Sequence, residues 1–114
     1  MTLLAQWSER IASAAARGVP LDIVGGGTKR FYGNEPRGEA FDTRGWQGIE
    51  SHEPSELVIT ARAGTPLAQV EVQLASHRQM LAFEPPHFGP DATLGGCVAA
   101  GLAGPRRAST GYAW

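Results

Sequence analysis

Apolar residues recur at helical spacing through the first seventeen positions. Leu3, Leu4, Trp7, Ile11, Ala14 and Ala15 trace one apolar face, predicting a helix over residues 2–17. Thr2 is placed to cap its start, Gly18 to end it, and Pro20 forbids its continuation. The period then changes. Leu21-Asp22-Ile23-Val24 reads as a short strand running directly into Gly25-Gly26-Gly27-Thr28-Lys29. A loosely ordered stretch punctuated by Gly33, Asn34, Pro36 and Gly38 follows, then a short strand at Phe41-Asp42-Thr43. Residues 48–53 and 57–63 read as a hairpin about the turn Pro54-Ser55-Glu56. In its second strand Leu57, Ile59, Ala61 and Ala63 form the apolar face.

A second helix is predicted from Thr65 as N-cap and Pro66 as first helical residue, with Leu67, Val70 and Leu74 as inner stripe and an end near residues 77–79. Residues 80–83 read as a brief strand. The prolines of residues 84–90 exclude regular structure there. Residues 93–102, rich in small side chains, predict a short helix packed close to something large, ended by Gly104-Pro105-Arg106-Arg107. No repeat or linker divides the chain.

Composition narrows the class. With 114 residues, 42% hydrophobic and 18% charged, the chain is sized for one small domain or part of a larger one. A net charge of −1 gives no footprint for nucleic acid. One cysteine, Cys97, excludes an internal disulfide and points to a reducing, cytoplasmic setting. No secretory signal is visible, and residues 92–104 are too short and glycine-rich to span a bilayer.

Fifteen glycines make backbone approach the main candidate chemistry. Gly25, Gly26 and Gly27 after a strand can turn backbone N–H groups toward a phosphate, with Thr28 and Lys29 adding a hydroxyl and a cation. The spacing fits neither the P-loop nor G-x-G-x-x-G, and a flexible turn is an equally good reading of these residues alone. Thr93, Leu94, Gly95 and Gly96, with Gly101 and Gly104, could lie against a flat ligand; a tight helix–sheet contact is the plainer reading. Arg106 and Arg107 could pair with phosphate, though surface arginine pairs are usually only solvated. His52, His77, His87 and Cys97 have no metal spacing, and no catalytic triad or carboxylate pair stands out. Trp7 and Trp46 read as packing residues.

The order of these pieces resembles the first part of the flavin domain of the vanillyl-alcohol oxidase and p-cresol methylhydroxylase (PCMH-type) superfamily. The carriers are the Gly25-Gly26-Gly27-Thr28 turn, Gly64-Thr65-Pro66-Leu67, Thr93-Leu94-Gly95-Gly96 and Ala103-Gly104-Pro105-Arg106. Residues 25–33, Phe83-Glu84-Pro85-Pro86-His87-Phe88 and residues 103–109 look like the E-type flavoprotein subunits of bacterial glycolate oxidases. The resemblance implies an α+β fold: the N-terminal half of a PCMH-type FAD-binding domain, a small mixed sheet flanked by helices. Residues 1–114 would form a truncated domain lacking its C-terminal part and the substrate cap domain, with exposed sheet edges.

The resemblance further implies non-covalent FAD. Gly25, Gly26, Gly27, Thr28 and Lys29 would hold the pyrophosphate, and Thr93, Leu94, Gly95, Gly96, Gly101, Gly104 and Arg106 the rest of the cofactor. Thr28-Lys29 stands where covalent members often carry His, and Cys97 reads as packing. The implied activity is oxidation of glycolate or a related 2-hydroxy acid, with the base and substrate ligands outside this segment. The implied partners are a second flavoprotein subunit and an iron–sulfur subunit, with peripheral membrane association through them. Two other classes stay open: a non-catalytic assembly or electron-relay subunit, and a nucleotide-phosphate module without flavin.

Overall fold

The computed structural model describes residues 2–26, 38–82 and 91–100. Helix α1 (Leu3–Arg17) begins where the Thr2 hydroxyl accepts from the Ala5 amide at 3.2 Å. It ends at Gly18, whose φ of +67° is the left-handed conformation glycine adopts without Cβ strain. Strands β1 (Leu21–Val24) and β2 (Glu39–Asp42) pair in parallel, with Leu21 opposite Glu39 and Val24 opposite Asp42. Strands β3 (Ile49–Glu53) and β4 (Val58–Ala61) form an antiparallel pair across a 3-10 turn at Pro54–Glu56. Helix α2 (Leu67–Ala75) and helix α3 (Leu94–Ala100) complete the described elements. The mix of strands and helices is the predicted α+β class, resolved into two two-stranded sheets rather than one. Among the described residues β1 has β2 as its sole strand neighbour, and Ile23 on it is 74% exposed.

Two small cores form. Under α1, Trp7 meets Phe41 edge to face with ring centroids 5.3 Å apart, and Phe41 is buried, as is Ala14 on the helix. The predicted face of α1 is corrected here. Leu4 and Ile11 are about half exposed and Ala15 is exposed. The inward stripe runs Leu3, Trp7 and Ala14, and the exposed Arg10 reaches back with its guanidinium 5.3 Å from the Phe41 ring centroid. The sheet under α1 is narrow, two strands among the described residues, so it covers only this stripe and leaves Leu4 and Ile11 at its margins. The second core joins Leu67, Ala92 and Cys97, with Leu81 and Leu94 packed on it. Leu67, Val70 and Leu74 are the buried stripe of α2, as their spacing predicts.

The ends of α2 differ from expectation. Pro66 is the N-cap, and Thr65 lies one residue outside it, fully buried. The Thr65 hydroxyl accepts from the Gly48 amide at 2.9 Å and donates to the Gly48 carbonyl at 3.2 Å. The part-buried Gly48 amide claims the hydroxyl that local capping rules assign to the helix, and the Gly48 carbonyl accepts from it in addition to the Arg62 amide at 2.9 Å. The helix closes at Ala75, two residues early, in turns where His77 and Gln79 both donate to Leu74. Leu57 sits in the left-handed region at φ +57° as the last residue of the 3-10 turn, which takes it off the strand's alternation and leaves it exposed. Ile59 and Ala61 keep the inward side of β4, while Ala63 is exposed. Residues 80–82 form no strand.

Removing the Thr65 hydroxyl while keeping its shape isolates this contact. Thr65→Val should cost about 1 kcal/mol, because the part-buried Gly48 amide loses its acceptor while the Gly48 carbonyl keeps the Arg62 amide. Urea unfolding followed by circular dichroism measures it, and an unchanged midpoint would refute the role.

Candidate functional site

The carboxyl end of the parallel pair is where strands leave backbone groups open to a ligand. Four chain segments meet there, and at each junction a glycine permits the approach. Gly25 and Gly26 follow β1 directly. A Cβ at Gly25 would run into the Thr93 hydroxyl, and one at Gly26 into the Asp91 carbonyl. A Cβ at Gly64 would meet the Thr43 carbonyl, the Trp46 carbonyl and the Arg44 Cα. One at Gly95 would lie 2.9 Å from both the Cβ and the carbonyl oxygen of Ala63. The segments following β1, β2 and β4 and the segment leading into α3 are therefore packed backbone to backbone.

Hydrogen bonds fix the same junction. Thr43 donates to the Val24 carbonyl through its amide at 2.8 Å and its hydroxyl at 3.1 Å, extending the β1–β2 ladder by one step. Gly64 donates to Trp46 at 2.7 Å. Pro66 and Thr93 form an isolated antiparallel bridge, flanked by Leu67 N to Ala92 O at 2.8 Å and Leu94 N to Thr65 O at 2.9 Å. Gly95 N reaches Ala63 O at 2.8 Å, Gly96 N reaches the Thr93 hydroxyl at 3.1 Å, and Cys97 N reaches Thr93 O at 3.0 Å.

The two predicted glycine segments therefore differ in what they leave open. The amides of residues 94–97 are all consumed inside the protein. The amides of Gly25 and Gly26 donate to no described residue. Two successive open amides at the end of a parallel strand fit an anionic group such as a pyrophosphate. Gly96 is less enclosed than its neighbour, with the Thr93 hydroxyl 3.1 Å from where its Cβ would stand. Gly95 meets the plainer expectation of a tight contact. Gly27, Thr28, Lys29, Gly101, Gly104 and Arg106 lie outside the described residues, as do His87 and Arg107.

One charged group at this edge escaped the sequence reading. Arg44 follows β2 by two residues and grips Asp42 with both Nε (3.0 and 3.1 Å) and Nη2 (2.6 Å), while its amide donates to Asp42 Oδ1 at 2.9 Å. The Arg44 guanidinium hydrogen bond, then the Arg44 amide, hold the Asp42 carboxyl below its ordinary value of 3.8. That pair therefore contributes its stability above the ordinary carboxylate range, and loses it as pH falls through the lowered value of the folded state. Asp42 in turn raises Arg44, with Asp91 adding a smaller pull of the same sign. The available signal was a cation two residues past a strand whose neighbour ends in Gly-Gly.

The histidines serve elsewhere. His52 on β3 is bracketed by Gln79 at 3.0 Å on Nε2 and Gln73 at 3.2 Å on Nδ1, and its ring meets His77 edge to face at 4.7 Å. Gln79 also donates to Pro54 O at 2.8 Å, so this polar cluster ties the hairpin to α2. Trp46 lies under the Arg62 guanidinium at 4.0 Å, and Arg62 Nε donates to Glu50 Oε1 at 3.2 Å. Cys97 is a buried member of the core. No group of metal-ligating side chains occurs among the described residues, and no helix there is long and apolar enough to cross a membrane.

Residues 4–113 match the FAD binding domain family over nearly their whole length. The chain belongs to that family. FAD is accordingly its cofactor, and the open amides after β1 suit the phosphate end of such a group. The glycolate oxidase subunit GlcE of Escherichia coli (strain K12) is 50% identical over 103 residues, which cover 90% of this chain. The chain spans 29% of that relative's length. No solved structure matches it.

Proposed function

We propose that this chain is part of an FAD-binding subunit of an oxidoreductase that oxidises glycolate or a related 2-hydroxy acid to the 2-oxo acid. The observation that carries the reading is the meeting of Gly25 and Gly26 with Asp91 and Thr93 at the carboxyl end of the parallel pair. Identity of 50% to a glycolate oxidase subunit supports the substrate class. The bound flavin supplies the hydride acceptor and passes electrons on.

The chain's own groups divide the labour. Gly25 and Gly26, continuing into Gly27, Thr28 and Lys29, hold the pyrophosphate through backbone amides, a hydroxyl and a cation. Thr93, Leu94 and Gly95 act through the junction, keeping the β1 end and the segment after β4 in fixed relation. Gly96, Gly101, Gly104 and Arg106 line the continuation of the cofactor. The flavin is held without a covalent bond. Like the relative named as a subunit, the chain works within an assembly, with a second flavoprotein and an iron–sulfur subunit as partners in the cytoplasm.

The test is retention of colour. The chain incubated with FAD and passed through gel filtration should co-elute with flavin absorbance near one equivalent, and the released flavin should be intact FAD. Anaerobic glycolate should bleach the flavin in the assembly purified through this chain. A colourless chain, or an assembly whose flavin ignores 2-hydroxy acids, would overturn the corresponding half of the reading.

A further inference from the structure

We infer that Arg44 is a phosphate-binding residue of this site and that Asp91 competes with the cofactor for its charge. The inference rests on the pyrophosphate being held at Gly25 and Gly26. Arg44 is placed for it by the register of the sheet. Val24 stands opposite Asp42, and Thr43 still bonds to the Val24 carbonyl. Arg44 therefore leaves β2 at the level where Gly25 and Gly26 leave β1, and neighbouring strands of a sheet lie roughly 5 Å apart. Its backbone is clamped as well, because its Cα lies against Gly64.

The guanidinium is prepared in advance. Asp42 takes Nε and Nη2, which fixes the plane of the group and leaves Nη1 with no partner among the described residues. A planar, permanently charged fork with one edge held and one edge open is suited to a phosphate oxygen. Its side chain is 55% exposed, so the open edge is accessible. Asp91 lies at the same edge, its carbonyl and Cβ against the Gly26 position. Its carboxylate pulls on Arg44 through space. Arg44 is thus bound by one carboxylate and weakly attracted by a second that lies at the Gly26 edge. Asp42 steadies Arg44, while Asp91 opposes an incoming anion.

This arrangement predicts two changes of opposite sign. In the 114-residue chain, Arg44→Gln should weaken FAD about tenfold at low salt, the size of one charge-assisted contact. The deficit should shrink at high salt, and Arg44→Lys should recover part of it. Asp91→Asn should tighten FAD about threefold. Quenching of flavin fluorescence gives the dissociation constants, and circular dichroism verifies folding of each variant. Damage to the fold could only weaken binding, so a tighter Asp91→Asn variant cannot arise that way. Unchanged FAD affinity in Arg44→Gln, or weaker binding in a folded Asp91→Asn, overturns the inference. If Gly26→Ala loses FAD while Arg44→Gln keeps it, the pyrophosphate site stands and the role of Arg44 falls. A wild-type chain that binds no FAD removes both.

Discussion

Gly26→Ala should weaken FAD binding by at least about tenfold while leaving the chain folded. The added methyl would stand on the Asp91 carbonyl, and the Asp91 Cβ at 3.0 Å closes the other direction of escape. Backbone, unlike a flexible side-chain tip, cannot swing away. The segment around Asp91 must withdraw or the end of β1 must rotate, and overpacking of this kind costs about 1–3 kcal/mol. Either movement shifts the two open amides, and tenfold in affinity corresponds to about 1.4 kcal/mol. Gly18→Ala is the matching control. Nothing lies within 4 Å of its Cβ position, so its cost is left-handed strain at the end of α1, about 1–2 kcal/mol. That control should lower the melting temperature and leave FAD affinity unaltered. If Gly26→Ala binds FAD like the wild type, the junction is not the cofactor's seat.

Leu67→Ala should be the most damaging single truncation of the fold. Leu67 is fully buried, central to the cluster of Ala92, Cys97, Leu81 and Leu94, and its amide holds the Ala92 carbonyl. Deleting a buried leucine side chain costs about 2–5 kcal/mol, because transfer and cavity terms add. Small domains typically hold only about 5–15 kcal/mol in total, so the loss is a large fraction. Urea unfolding should show an earlier midpoint with an unchanged slope. A shift worth under about 1 kcal/mol would mean that the α2–α3 contact collapses freely and is not a packed core.

The elements were readable because their signals are local. Thr2, Gly18 and the apolar spacing between them define α1 with no help from the rest of the chain. The triple glycine after Leu21-Asp22-Ile23-Val24 marks a strand end for the same reason. What stayed hidden was set by distant partners. Exposed Arg10 on α1 reaches Phe41, thirty-one positions away, a contact no helical period foretells. Thr65 reads as an N-cap until the Gly48 amide is seen to need its hydroxyl as an acceptor. The tight packing of residues 93–96 shows only when the amides of residues 94–96 are traced to Thr65, Ala63 and Thr93. Arg44 drew no notice because one arginine after a strand is ordinary. Its place beside Gly26 arises from the parallel register, and pairing partners are not written in either strand alone.

Gly25, Gly26, Gly64 and Gly95 each lack a side chain because another stretch of the protein occupies that space. Selection on folding would preserve them even in a descendant that had given up flavin altogether. Among diverged relatives, the glycine pattern should outlast the redox role it helps to serve. Erosion would show first in the cations around the open amides, where only the nucleotide imposes a demand.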